Sequence, residues 1–142
     1  MVKKKIIGYT AGVFDMFHVG HLNILKQAKE HCDYLIVAVS PDELVQSYKG
    51  KKPIISFEDR VEIIKAIKYV DKVVIQYDRD KIKAYHEHKF NIMFVGDDWK
   101  GNPLFEAVEK ELNKHGSKVQ FFSYTNKVSS TKLRSILKEE IK

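Results

Sequence analysis

The chain has 142 residues, of which 44% are hydrophobic and 31% charged, and only one is a cysteine, Cys32. These proportions exclude a disordered or fibrous chain and fit a single globular domain with one continuous core, while a lone thiol excludes an internal disulfide and a cysteine-built zinc site and suits a reducing compartment. Twenty-five Lys and Arg against nineteen Asp and Glu leave +6, concentrated at residues 3–5, 49–52 and in the last third; such an excess suits a polyanion, small as a nucleotide or large as a nucleic acid.

The apolar run behind Lys3, Lys4 and Lys5 is interrupted by Gly8, Gly12 and Asp15, so neither an export signal nor a membrane span is expected, and the location expected is cytoplasmic. The run from Lys5 to Thr10 reads as a first strand, and Leu22, Ile24, Leu25 and Ala28 recur at helical spacing from Gly20 onward. Tyr34 to Val39 is an uninterrupted apolar run, as expected of a strand buried on both faces of a parallel sheet, and it implies a helical crossover. Tyr48 to Pro53, with Gly50 and three lysines, reads as a basic loop. Ser56 then caps a helix whose buried stripe is Val61, Ile63, Ile64 and Ile67. Lys72 to Ile75 is a strand, and a polar helix follows near Asp80 to His88. The strand Ile92 to Val95 ends in Gly96-Asp97-Asp98-Trp99, and Asn102-Pro103 starts a helix to Lys114. A last strand, Lys118 to Phe122, leads to Ser129 as the cap of a terminal helix. The repeated strand-helix order predicts an α/β, Rossmann-like fold: one domain over residues 1–142, with a doubly wound parallel sheet of about five strands flanked by helices and ligands at the strands' carboxyl ends.

The segment Gly12-Val13-Phe14-Asp15-Met16-Phe17-His18-Val19-Gly20-His21 falls at the first strand-to-helix turn. Gly12 and Gly20 permit close backbone approach, and a helix start offers free amides and a positive dipole end to phosphate. Imidazoles at 18 and 21 can donate to phosphoryl oxygens as charge grows on them during displacement. The remaining histidines, His31, His86, His88 and His115, carry no ligand spacing and are assigned to the surface.

This turn resembles the H-x-G-H signature of the nucleotidyltransferase superfamily of cytidylyltransferases and related adenylyltransferases. The resemblance runs along nearly the whole chain and is closest to the glycerol-3-phosphate cytidylyltransferase group. It is carried further by Asp33 to Glu43, Ser56 to Arg60, Ala66 to Asp71, Val95 to Gly101 with its G-D-D-W, and Val128 to Lys132, which is similar to the family's I-S-T-T-K helix start. It implies that His18 and His21 stabilise the transition state at the α-phosphate of CTP, and that Lys49, Lys51 and Lys52 close over the triphosphate. It implies nucleotide contacts at Gly12, Val13, Phe14, Asp15, Gly20, Gly96, Asp98, Trp99, Thr125, Ser129, Ser130 and Thr131, and a phosphate contact at Arg60. Lys52, Lys68, Tyr124 and Lys127 would face the acceptor. Tyr124 to Lys127 stands where the group has R-T-E-G, Lys68 where it commonly has arginine, and Val13 where it has threonine; lysine keeps charge without arginine's fork, so the acceptor is the part these changes touch.

The implied activity joins CTP to a small phosphorylated alcohol, with glycerol 3-phosphate foremost, giving a CDP-alcohol and pyrophosphate, with nucleotide-bound Mg2+ and a homodimeric enzyme. CDP-glycerol would serve teichoic-acid or capsule assembly. The alternatives are another phosphoalcohol or phosphonate as acceptor, adenylyl transfer as in FAD synthesis, which Lys51-Lys52-Pro53-Ile54-Ile55 resembles, and a non-catalytic nucleotide sensor or basic nucleic-acid-binding module. No nucleic-acid motif or aromatic-basic interleaving is present, so nucleic acid is not the expected partner.

Overall fold

A computed structural model describes residues 5–96 and 100–123. Five parallel strands, β1 (Ile7–Gly12), β2 (Tyr34–Val39), β3 (Lys72–Ile75), β4 (Ile92–Gly96) and β5 (Lys118–Phe122), lie in the order β3-β2-β1-β4-β5. The helices between them are α1 (Val19–Glu30), α2 (Asp42–Lys49), α3 (Phe57–Lys65), α4 (Lys81–His88) and α5 (Pro103–Lys114). The doubly wound sheet expected from the alternation is therefore present. β2 pairs with β1 from Ile7↔Tyr34 to Gly12↔Val39, and with β3 from Ile36↔Lys72 to Val39↔Ile75. After β3 the chain crosses to the other side of β1, which makes the gap between β1 and β4 the point where strand order reverses.

Side-chain alternation along β2 divides the core into two layers. Leu35, Val37 and Val39 face the layer that holds Leu25 and Ala28 of α1 and Ile64 of α3, whereas Ile36 and Ala38 face Phe105 and Leu112 of α5. Leu25, Leu35, Val37, Val39, Ile64 and Leu112 are wholly removed from solvent, each large aliphatic side chain contributing about 1.5–3 kcal/mol relative to exposure. At Gly8 a Cβ would stand 2.7 Å from both Cys32 Sγ and a ring carbon of Phe94, so α1's exit and β4 close on β1 only because that side chain is missing.

Four local expectations change. Ile63, expected in the buried stripe of α3, is exposed, and of that stripe only Ile64 is fully buried. β1 runs to Gly12, two residues beyond the expected Thr10. Tyr48 and Lys49 belong to α2, whose left-handed cap is Gly50 at φ 76°, so the basic turn begins at Gly50 rather than at Tyr48. His88, assigned to the surface, is half-buried and stacks on Tyr9 at 5.7 Å between ring centroids. Ser56 and Asn102 cap α3 and α5 as expected, Ser56 Oγ accepting from Asp59 N–H and Asn102 Oδ1 from Leu104 and Phe105 N–H. The terminal helix and its Ser129 cap lie outside the described residues.

Candidate active site

A cavity of about 540 Å³ opens at the carboxyl ends of the strands, floored by Gly12, Ser40, Gln76 and Gly96, which terminate or directly follow β1, β2, β3 and β4. One wall is the β1–α1 turn, where Val13, Phe14, Asp15 and His21 line the space. Lys49 at the end of α2, Arg79 just before the cap of α4 and Lys81 at its first residue also line it. Apolar side chains of α5, Leu104, Phe105 and Val108, complete the lining.

The histidine pair is built by helix capping. His18 is the N-cap of α1, and its Nδ1 accepts the Gly20 N–H at 3.0 Å, while Nδ1 of His21 accepts the His18 N–H at 3.2 Å. The two imidazoles thus take the places that Ser and Glu hold in a capping box, and Gly20 is buried in the first turn. With Nδ1 an acceptor on both rings, the proton of each neutral imidazole resides on Nε2. The rings stack at 4.0 Å, and Phe17 and Phe14 pack on His21 at 5.3 and 5.7 Å. Burial, followed by the neighbouring His18 and opposed by Asp15, pushes the His21 pKa down to about 4, and burial lowers that of His18. At neutral pH both are therefore uncharged Nε2–H donors.

On the cationic wall the Arg79 guanidinium lies 4.2 Å from the Tyr48 ring centroid. Burial, with Arg79 adding to it and Asp78 opposing, brings the Lys81 pKa down to about 8. On the floor, Ser40 donates from Oγ to Gln76 Oε1 at 2.5 Å, and both side chains are buried. Sequence reading missed Tyr48, Gln76, Arg79 and Lys81. The available signal was positional, since Gln76 and Arg79 follow β3 at the sheet edge where this fold places ligands.

Two expected contacts are corrected. Arg60 is only 1% exposed, and its guanidinium donates to the carbonyls of Ile55, Val13 and Ser40 and to the Asp42 carboxylate, so it cross-links protein segments rather than offering its fork to a phosphate. Lys68 lies between α3 and β3, at the amino edge of a parallel sheet whose carboxyl edge carries the cavity; its ammonium rests over Tyr69 at 5.2 Å, and the neighbouring Asp71 bonds to the start of β2. Of the other expected residues, His18 and Gly20 sit at the start of α1 beside His21 but outside the cavity lining, and Lys51 and Lys52 stand exposed beyond Gly50 and also outside it. Asp98, Trp99, Tyr124, Thr125, Lys127, Ser129, Ser130 and Thr131 lie outside the described residues. Among the described residues no cluster of three or more His, Cys, Asp or Glu is placed to hold a metal ion, and no helix is long and apolar enough to cross a membrane.

The cavity thus lies at a strand-order reversal, beside a helix start capped by two imidazoles and with three cationic side chains in its lining. The chain belongs to the cytidylyltransferase-like family, whose family model matches residues 9–136. It is 42% identical over 118 residues to the FAD synthase of Thermococcus kodakarensis, spanning 80% of this chain and 76% of that one. It is 36% identical over 139 residues to the glycerol-3-phosphate cytidylyltransferase of Bacillus subtilis, spanning 97% of each. Among solved structures, a lipopolysaccharide core biosynthesis protein from Thermoplasma volcanium superposes with a TM-score of 0.71 at 30% identity, covering 86% of this chain and 98% of that one.

Proposed function

We propose that the protein is a cytidylyltransferase that transfers CMP from CTP to a small phosphorylated alcohol, sn-glycerol 3-phosphate foremost. The observation that carries the transfer chemistry is the histidine pair, whose caps fix two neutral Nε2–H donors at the helix start. An acceptor phosphate oxygen attacks the α-phosphorus, the bond to the bridging oxygen of pyrophosphate breaks, and the imidazole protons meet the charge gathering on the phosphoryl oxygens. Lys49, Arg79 and Lys81 supply positive charge to the phosphates, and no covalent intermediate is required when both reactants are held in line.

Magnesium fits as an ion carried by the nucleotide: Asp15 is the sole carboxylate among the described lining residues, and both its oxygens accept backbone N–H groups. Bound there it would neutralise phosphate charge, with its remaining ligands from water. Glycerol 3-phosphate is favoured by the end-to-end correspondence with the Bacillus subtilis enzyme and by the G-D-D-W at residues 96–99. A second reading, adenylyl transfer to flavin mononucleotide, is favoured by the 42% identity to the Thermococcus kodakarensis protein. A homodimer is part of the proposal, and sedimentation of the purified chain tests it.

Pyrophosphate release with magnesium, CTP or ATP, and glycerol 3-phosphate, phosphocholine, phosphoethanolamine or flavin mononucleotide decides between these readings. Release with CTP and glycerol 3-phosphate alone is the expected result. Release with ATP and flavin mononucleotide alone would replace it with the second reading.

A further inference from the structure

Asp15 and Arg60 are 3% and 1% exposed and sit at a junction of three chain segments. Arg60 Nε donates to the Ile55 carbonyl at 3.0 Å, one terminal nitrogen donates to Val13 O at 2.8 Å and Ser40 O at 2.7 Å, and the other meets Asp42 Oδ1 at 2.6 Å. Asp15 accepts the N–H groups of Ile54 and Ile55, one on each carboxylate oxygen and both at 2.8 Å. The Ile54–Ile55 stretch is thus gripped on its N–H side by the histidine turn and on its carbonyl side by α3. Bonds to a charged carboxylate or guanidinium are roughly twice as strong as neutral ones, which makes this junction stiffer than an ordinary loop contact.

The grip limits where the lysines can be. Lys52 and Lys51 are two and three residues from Ile54, so their Cα atoms stay within about 7 and 10 Å of the anchor, whatever the turn does. The other end of the turn is fixed by α2, which ends at Lys49 and Gly50. Asp15 itself stands between two non-glycine residues in the left-handed region, Phe14 at φ 55° and Met16 at φ 49°. Such backbone persists only where its surroundings over-determine it, and the bonds from Asp15 to Ile54 and Ile55 form part of those surroundings.

We infer that Asp15 is a positioning residue that, together with Arg60, fixes the spacing between the His18–His21 turn and the basic segment Lys49–Lys52, so that both reach one triphosphate together. Its effect on turnover rests on the proposed function; the mechanical coupling is a property of the folded chain. Neither side chain needs to touch substrate for this role.

The test uses the full chain with Asp15→Asn, whose amide can accept one of the two N–H groups but opposes the other with its own NH2. Trypsin cutting at Lys49–Gly50 and Lys51–Lys52, followed by mass spectrometry without nucleotide, is compared with thermal unfolding; the Lys52–Pro53 bond is resistant. Cutting about tenfold faster at this segment, with other sites unchanged, is expected. An unchanged rate there, or a general rise in step with a lower unfolding temperature, would overturn the coupling. Arg60→Lys, which keeps charge but cannot span its acceptors, provides the same readout where Asp15→Asn does not fold. In turnover, Asp15→Asn should lose about 10²-fold in kcat/KM, and adding Lys51→Ala should cost far less than it does in the native chain; full additivity would overturn the positioning role. If no substrate pair supports turnover, the proteolysis still decides the coupling, and it is the proposed function that fails.

Discussion

His18 and His21 hold each other through the backbone: the His18 N–H bonds to His21 Nδ1 at 3.2 Å, while His18 Nδ1 takes the Gly20 N–H, and the rings stack at 4.0 Å. Each histidine therefore has a capping duty on one ring nitrogen and leaves the other as a proton donor. The duties can be separated by substitution.

Asparagine can cap a helix but cannot reach as imidazole does, whereas alanine does neither. His18→Asn should retain the native unfolding temperature within a few degrees while losing about 10²–10³ in kcat, the usual cost of one transition-state donor. His18→Ala should lose the same activity and in addition about 0.5–2 kcal/mol of stability. Denaturant unfolding and steady-state kinetics on the two variants check this; equal stabilities would show that the cap contributes nothing.

The His21 pKa of about 4 also sets a pH dependence. The unfolded chain takes up a proton on this ring near the ordinary value of 6.5, and the folded chain does so only near 4, so the unfolded state binds more protons between those values. Stability then falls as pH drops from about 7 toward 4 and is retained above that window. His21→Asn should flatten this part of the profile, measured as thermal midpoints from pH 7.5 to 4.5 for variant and native chain. Turnover should show no acid limb near 6.5 from this group.

The parts of the fold that came from local pattern were legible. Tyr34–Val39, Lys72–Ile75 and Lys118–Phe122 are strands at the expected residues, because apolar runs bounded by turn-forming residues leave little choice of period. Arg60 was misread because its acceptors come from Ser40 and Val13, 20 and 47 positions away, and no spacing along the chain reports that convergence. Lys68 was placed at the substrate by resemblance, but parallel pairing of β3 with β2 puts its loop at the opposite edge. His18 gave no cap signal because its residue type is not among the usual N-caps.

Gly8 tests the packing that brings α1 and β4 together. Gly8→Ala places a methyl group 2.7 Å from Cys32 Sγ and from the Phe94 ring, and overpacking of this kind costs about 1–3 kcal/mol. Replacing Cys32 by alanine removes one of the two clashes, so the double variant should recover part of the loss. Strict additivity of the two changes in urea unfolding would show that the sulfur is not what the methyl group meets.

Lys81 gives the alkaline counterpart. Lys81 lines the cavity with Arg79, and its pKa is brought down to about 8 because burial disfavours the charged form and Arg79 repels it. Below that value it is a cation on the cavity wall, where the proposed function puts the phosphates; above it the wall loses one positive charge. Apparent affinity for the phosphorylated ligands should therefore weaken as pH rises through about 8, while Lys81→Arg, which stays charged, should move that limb beyond the accessible range. Lys81→Met should bind weakly at every pH and show no limb. KM measured from pH 6.5 to 9.5 for the three proteins checks this, and an identical alkaline limb in Lys81→Met would assign the titration to another group.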